Sequence, residues 1–81
     1  MPTFMDVHEG MHVTPDQLAE AHKKDLEAQK GTGVEYTRYW LDPKAGKVFC
    51  LATGPNKEAV AAVHKKAGHP AHELYEVSEG R

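Results

Sequence analysis

The sequence predicts an α+β fold in which a four-stranded antiparallel sheet carries two helices on one of its faces. Three observations predict this class. The chain has 81 residues, enough for one small core, so we expect a single domain over residues 1–81. Two segments carry helix start and stop signals, and four short segments rich in β-branched and aromatic residues lie around them. The order of these segments along the chain is βαββαβ.

The first strand and the first helix come from the N-terminal part of the chain. Residues 3–8 (Thr-Phe-Met-Asp-Val-His) predict strand β1. Helix α1 is predicted over about residues 15–30, because Thr14 can cap it, Pro15 suits the first helical position and Gln17 completes a capping box. A glycine-rich segment then ends the helix.

A β-hairpin is predicted next. Residues 34–41 form strand β2 and residues 47–53 form strand β3, since both segments are rich in β-branched and aromatic types. The segment between them, residues 42–46, reads Asp-Pro-Lys-Ala-Gly and has the composition of a turn. The two strands are therefore predicted to be antiparallel neighbours.

The second helix and the last strand complete the pattern. Helix α2 is predicted over residues 57–67, with Asn56 as its N-cap and Gly68 as its stop. Residues 72–77 predict strand β4, and residues 78–81 form a tail.

The βαββαβ order is that of the ferredoxin-like fold, and right-handed crossovers then place the strands in the order 4-1-3-2. Both helices cover one face of the sheet and leave the other open. In β2, strict alternation puts Tyr36, Arg38 and Trp40 together, and we expect this set on the open face. Exposed apolar patches usually mark interfaces, so we expect a homodimer through the open sheet face. The alternative is a monomer whose open face is polar.

Composition excludes several classes of protein. Ten basic and twelve acidic residues give a net charge of −2, which argues against nucleic-acid binding. No apolar run approaches the roughly 18 residues of a membrane span, so we expect no membrane partner. The start of the chain lacks the features of a signal peptide, and the single cysteine, Cys50, points to a reducing cytoplasm.

Histidine is the distinctive residue of this chain. There are six: His8, His12, His22, His64, His69 and His72. Five of them, all except His22, map to the end of the domain where β1 finishes and β4 begins. Imidazole is the commonest metal-binding side chain at neutral pH, and a histidine cluster suits nickel, copper or zinc better than magnesium or calcium.

Two of the histidines are predicted to be buried. On a helical projection of α1, His22 lies near the centre of the apolar face formed by Leu18, Ala21 and Leu26, with Asp25 as its natural partner. His64 lies on the buried face of α2. A buried polar side chain without a partner is costly, so each histidine needs one.

A metal site between the helices and the sheet is one interpretation of these positions. His22 and His64 point inward from the two helices, and Cys50 on β3 can join them if its side chain faces the helices. The structural alternative is that each histidine is hydrogen-bonded within the core and that Cys50 packs as a small apolar residue. His12 and His69 are expected to be solvated loop residues. The chain has no CxxC, HExxH or HxH motif.

The chain resembles the small nickel-binding proteins of bacteria, long classed as a domain of unknown function. The resemblance covers about residues 4–77 and lies in residues 4–8, the segment from Ala21 to Leu26 with Gln29, the hairpin with Trp40 and Cys50, Pro55, and residues 63–67. It implies a dimeric ferredoxin-like sandwich that binds nickel and has no established catalytic activity. The positions matching the family's histidine and cysteine pattern are His8, His22, Cys50 and His64.

Three functions follow as hypotheses. The first is a nickel-binding protein that sequesters or buffers the ion, with zinc or copper as alternative metals. Its ligands would be the imidazoles of His8, His22 and His64, the thiolate of Cys50, and Asp6 or Glu9 as a carboxylate ligand or hydrogen-bonding partner.

The second hypothesis is a dimeric α+β-barrel-type enzyme acting on a small organic substrate. His22 oriented by Asp25 would be its general base, and Tyr39 or Trp40 would line the pocket. The third is a structural or regulatory dimer without chemistry, since one fold can host many functions.

Overall fold

The computed structural model describes residues 1–80; Arg81, the last residue of the predicted tail and domain, lies outside the described residues. The elements occur in the predicted order. They are β1 (Thr3–His8), α1 (Pro15–Ala28), β2 (Glu35–Asp42), β3 (Lys47–Thr53), α2 (Lys57–Lys66) and β4 (Glu73–Val77). β1 and β3 have the predicted bounds, and the ends of the other elements lie within two residues of prediction.

The four strands form one antiparallel sheet in the order β2-β3-β1-β4. The predicted order and the ferredoxin-like βαββαβ fold are therefore confirmed. At the centre of the sheet, Asp6 of β1 pairs with Cys50 of β3 on one side and with Leu74 of β4 on the other. Residues paired in this way share a face, so Asp6 and Cys50 point the same way.

Both helices pack against the face that carries Asp6 and Cys50. One cluster of buried apolar side chains joins the helices to the sheet, with Leu18 and Ala28 from α1 and Val60 and Val63 from α2. The sheet contributes Phe4, Tyr36, Val48, Cys50 and Ala52, and Val34 joins them from the residue before β2.

The helix caps are those that the sequence predicts. Thr14 Oγ1 accepts a hydrogen bond from Gln17 N–H at 3.1 Å, and Gln17 Oε1 accepts one from Thr14 N–H at 2.9 Å. Asn56 caps α2 by accepting from Ala59 N–H at 2.8 Å. α1 ends at Ala28, about two residues before the predicted end. The next residue, Gln29, caps the helix and uses its side chain to bind β2.

A β-bulge in β2 overturns one prediction. Tyr36 pairs with Ala52, whereas Arg38 pairs with Leu51, so the bulged strand has an extra residue between them. The inserted residue shifts the phase of the alternation. Tyr36 therefore lies in the core, 3% exposed, and its predicted position beside Arg38 and Trp40 is wrong. Trp40 lies on the open face and is 45% exposed.

Helix α1 is also turned relative to its predicted orientation. Its buried residues are Leu18, Asp25 and Ala28, while Leu26, predicted to be on the buried face, is 38% exposed. Asp25 thus occupies the centre of the buried stripe, and His22 lies at its edge and is half-buried. This rotation places a carboxylate, rather than an apolar side chain, against the interior.

The face of the sheet away from the helices carries a groove of about 440 Å³ that Met5, Trp40 and Leu51 help to line. The neighbouring Tyr75 is 47% exposed. Within residues 1–80, neither helix is long and apolar enough to cross a membrane.

Candidate metal centre

Four buried side chains with metal-binding atoms meet between α2 and the centre of the sheet. Asp6 and His8 are two residues apart on β1 and so face the same way. Cys50 comes from β3 and His64 from α2. The exposed fractions are 1% for Asp6, 3% for His8, 5% for Cys50 and 1% for His64. We call these four residues the buried donor group; one ligand atom from each lies within 4.8 Å of all the others.

The contacts within this group are short. His8 Nε2 lies 3.2 Å from His64 Nε2. The Asp6 carboxylate bridges the two rings, with Oδ1 3.1 Å from His8 Nε2 and Oδ2 2.8 Å from His64 Nε2. Two imidazole nitrogens and a carboxylate therefore converge on one small volume.

Asp6 is incompletely hydrogen-bonded in this arrangement. Its Oδ2 accepts a hydrogen bond from the Tyr36 hydroxyl at 3.0 Å. Its Oδ1 accepts none among the described residues, because the contact with His8 lacks hydrogen-bond geometry. A buried polar atom without a partner is rare in a folded protein, and binding of an ion is one explanation for it. The residues present fit a bound cation on this ground.

A second group of donors lies on the other side of His64. His64 Nδ1 is 2.7 Å from Asp25 Oδ1, and the same oxygen is 2.8 Å from His69 Nε2. Asp25 is 3% exposed, whereas the His69 side chain is 22% exposed. His64 thus uses one ring nitrogen toward the buried donor group and the other toward Asp25 and His69.

The two carboxylates control the protonation of His64. Burial by itself lowers the pKa of His64, but the hydrogen bonds and charges of Asp25 and Asp6 outweigh it and raise this pKa to about 9. Burial alone would raise the pKa of Asp6, yet the close contacts and charges of His64 and His8 lower it overall. At neutral pH without an ion, His64 is a buried imidazolium between Asp6 and Asp25.

The two buried hydroxyl and thiol groups are held in their protonated forms. Burial raises the pKa of Cys50, and the charges of Asp6 and Asp25 raise it further. The same two causes, burial and the Asp6 carboxylate, raise the pKa of Tyr36. Only a cation at the group would favour the thiolate of Cys50.

A cavity of about 10 Å³ adjoins the buried donor group and has room for about one water molecule. The residues around it include His8, His22, Asp25, Cys50 and His69, and the surface that they give to the cavity is apolar. This volume does not admit a small organic molecule, which the alternative enzyme hypothesis requires at this place. The enzyme hypothesis uses His22 as a general base oriented by Asp25. In the structure, the Asp25 carboxylate contacts His64 and His69.

The structure brings together three of the four predicted ligands, His8, Cys50 and His64, with Asp6, one of the two predicted carboxylates. It places His22 across the adjoining cavity, with its ring 4.8 Å from that of Tyr39, so His22 as a ligand stays a prediction. The other predicted carboxylate, Glu9, lies near the surface, 3.7 Å from Lys47.

His69, expected to be a solvated loop residue, instead contacts Asp25. Gly68, with φ +91°, turns the chain at the end of α2, and His69 N–H donates to His64 O at 3.1 Å. The signal available in the sequence was the placement of His69 directly after the glycine that ends the helix. Asp25 was recognised only as a partner for His22, because its contacts depend on the rotation of α1.

The site thus defines a small ferredoxin-like domain whose buried imidazole, thiol and carboxylate groups are of the types that can hold a transition metal. The family follows from sequence: the model of the nickel responsive protein SCO4226-like family matches residues 4–77, and the chain belongs to this family. The predicted resemblance is thereby confirmed.

A solved structure supports the same relationship. The crystal structure of SCO4226 from Streptomyces coelicolor A3(2) is similar to this chain with a TM-score of 0.92 and 48% sequence identity. The similarity covers 98% of this chain and 99% of the other. Among curated proteins, none matches.

Proposed function

We propose that this protein binds nickel as a cargo ion and sequesters or buffers it through His8, Cys50, His64 and Asp6. The observation that carries the proposal is that four buried donor atoms lie within 4.8 Å of one another, with Asp6 Oδ1 accepting no hydrogen bond from any residue of 1–80. Two imidazoles, a thiolate and a carboxylate suit nickel, copper and zinc. Membership of a nickel-responsive family favours nickel among these metals.

The burial of the group supports retention of the ion rather than catalysis. All four donor residues are at most 5% exposed, so a bound ion would have little access to substrate or solvent. The small adjoining cavity supports the same conclusion, because a catalytic metal site keeps an open position for a reacting molecule.

Nickel binding in this group is an exchange of protons for a metal ion. His64 holds a proton between Asp6 and Asp25, and Cys50 holds its thiol proton. Both protons leave when the side chains become ligands. The Asp6 and Asp25 carboxylates, which attract the imidazolium, then stabilise the cation instead. A reducing cytoplasm would keep the Cys50 thiol available for this exchange.

We further propose a homodimer through the open sheet face. Trp40 at 45% and Tyr75 at 47% exposure are large apolar side chains on the face that no helix covers. A second copy of the chain would bury both aromatic residues and fill the groove beside Trp40.

The test of nickel binding uses untagged protein stripped of metal under reducing conditions. Calorimetric titration with nickel chloride should give a saturable site, and the absorption of a nickel–thiolate bond should rise with occupancy. Cys50→Ser should remove this absorption and weaken binding by at least about tenfold, since a hard hydroxyl replaces a soft ligand.

The matched control is His12→Ala, which removes an exposed imidazole outside the group and should leave the titration unchanged. Parallel titrations with zinc and copper rank the metals. Unaltered nickel binding and absorption in Cys50→Ser would contradict the assignment of the buried donor group.

A further inference from the structure

The buried donor group lies out of reach of an ion in solvent. Its residues expose between 1% and 5% of their surface, and the sheet and α2 enclose them. An ion that enters therefore has to pass other side chains. Those side chains determine how fast the group fills and empties, independently of how tightly it binds.

One series of donor atoms connects the surface to this group. It starts at His69, whose side chain is 22% exposed, and continues over 2.8 Å from His69 Nε2 to Asp25 Oδ1. From Asp25 Oδ1 it is 2.7 Å to the ring of His64. The ring centroid of His69 lies 5.2 Å from that of His64 and 6.2 Å from that of His8.

The small cavity adjoins this series of donor residues. His69 and Asp25 form part of its wall, and Cys50 and His8 form another part. A volume of about 10 Å³ is close to that of one water-sized sphere. Residues of the outer pair and of the buried group thus border a common cavity, with their apolar atoms toward it.

We propose that His69 and Asp25 form an outer donor pair that receives a divalent transition-metal cation from solvent and passes it to the buried donor group. This proposal rests on the proposed function, since it supplies the entry route to that site. An imidazole and a carboxylate are adequate ligands for such cations, and the negative charge of Asp25 draws a cation inward.

The pair is suited to transfer rather than storage. It offers two donors besides the shared His64, whereas the buried group offers four, so an ion is held less tightly at the pair. Passage through a site requires binding that is favourable enough for entry and weak enough for release.

The backbone keeps His69 in place for this role. Gly68 has φ +91°, a left-handed conformation that a side chain at this position would strain. The turn brings His69 back over the end of α2, where its N–H donates to His64 O at 3.1 Å. The outer imidazole and the buried one are therefore fixed relative to each other.

The experiment measures rates and affinity separately. Stopped-flow absorption of the nickel–thiolate bond follows loading when metal-free protein is mixed with nickel chloride, and follows release when loaded protein is mixed with a chelator. The variants are His69→Ala and His69→Gln, with His12→Ala as the control for loss of an exposed imidazole. Gln retains a hydrogen-bond donor for Asp25 but is a poor metal ligand.

We expect loading and release to slow by the same factor in both His69 variants, about tenfold or more, the usual size of losing a partner of a metal site. The dissociation constant should be unchanged, because a residue on the path alters both directions equally. Circular dichroism confirms that each variant is folded.

Three outcomes would overturn the proposal. Wild-type rates in His69→Ala would exclude His69 from the route. Wild-type rates in His69→Gln with slow rates in His69→Ala would assign His69 to a hydrogen bond with Asp25 rather than to ion capture. A weaker dissociation constant with unchanged loading would make His69 a permanent ligand. Failure of the wild-type protein to bind nickel would instead contradict the proposed function, and the route with it.

Discussion

Removal of the His64 side chain should destabilise the metal-free protein by an amount set by the two carboxylates that it holds. His64 lies 2.8 Å from Asp6 Oδ2 and 2.7 Å from Asp25 Oδ1, and all three residues are at most 3% exposed. His64→Ala leaves both carboxylates buried without this cation. Breaking a buried ion pair in this way costs about 3–5 kcal/mol. A chain of 81 residues has a total stability of only about 4–12 kcal/mol, so the variant approaches the limit of folding.

The pH dependence gives an independent magnitude. The pKa of His64 rises from 6.5 to about 9 on folding, which corresponds to about 3 kcal/mol at 1.36 kcal/mol per unit. Because the folded pKa is raised, this stabilisation is complete below pH 6.5 and is lost as the pH rises through about 9. The wild-type protein should therefore lose stability over this window, and His64→Ala should lose far less. Cys50 is present in both proteins, so its own ionisation cancels in the comparison.

Urea denaturation in the presence of a chelator, at about pH 6 and about pH 9, measures both effects. The double variant His64→Ala/Asp25→Asn serves as the control, because neutralising one orphaned carboxylate should recover part of the loss. A cost below about 1 kcal/mol at low pH, or no recovery in the double variant, would refute the ion-pair reasoning.

Three further predictions concern the proposed binding and assembly. Nickel affinity should rise as the pH is raised from about 6 to about 9, since the ion displaces the protons of His64 and Cys50. Calorimetric titration at several pH values measures this dependence, and an affinity that does not change with pH would contradict the exchange. Tyr36→Phe should cost about 1.5–3 kcal/mol in urea denaturation, because the Asp6 carboxylate loses a hydrogen bond; an unchanged midpoint would contradict that contact's contribution. Trp40→Ala should shift the protein toward monomer, since an aromatic residue at an interface centre contributes about 2 kcal/mol or more. Light scattering that shows this variant fully dimeric at low micromolar concentration would contradict the open-face interface, and His12→Ala is its surface control.

Short-range signals predict most of this fold. Thr14 and Asn56 form the predicted caps, and the glycines that end α1 and α2 adopt positive φ. These features depend on residues three or four apart, so they can be read without knowing the tertiary structure. Once six elements and their order are known, handedness restricts the sheet to very few topologies.

Helix periodicity and the strand topology also predict part of the candidate site. The burial of His64 follows from its position on the apolar face of α2, and its exposure of 1% confirms it. The end of β1 and the end of α2 meet at one edge of the domain in this topology, which brings His8 to His64. The pairing of Cys50 with Asp6, in contrast, depends on the register of two neighbouring strands, which only the structure shows.

The sequence by itself determined the elements, their order, the ferredoxin-like topology and the placement of His8 and His64 at one end of the domain. Only the tertiary structure decided the bulge that turns Tyr36 toward Asp6 and the rotation of α1 that buries Asp25 in place of Leu26. Asp25 finds its partners 39 and 44 residues away, at His64 and His69. Contacts at such separations depend on how a helix rolls on a sheet and where a strand gains a residue, and neither is encoded in the local periodicity that a sequence displays.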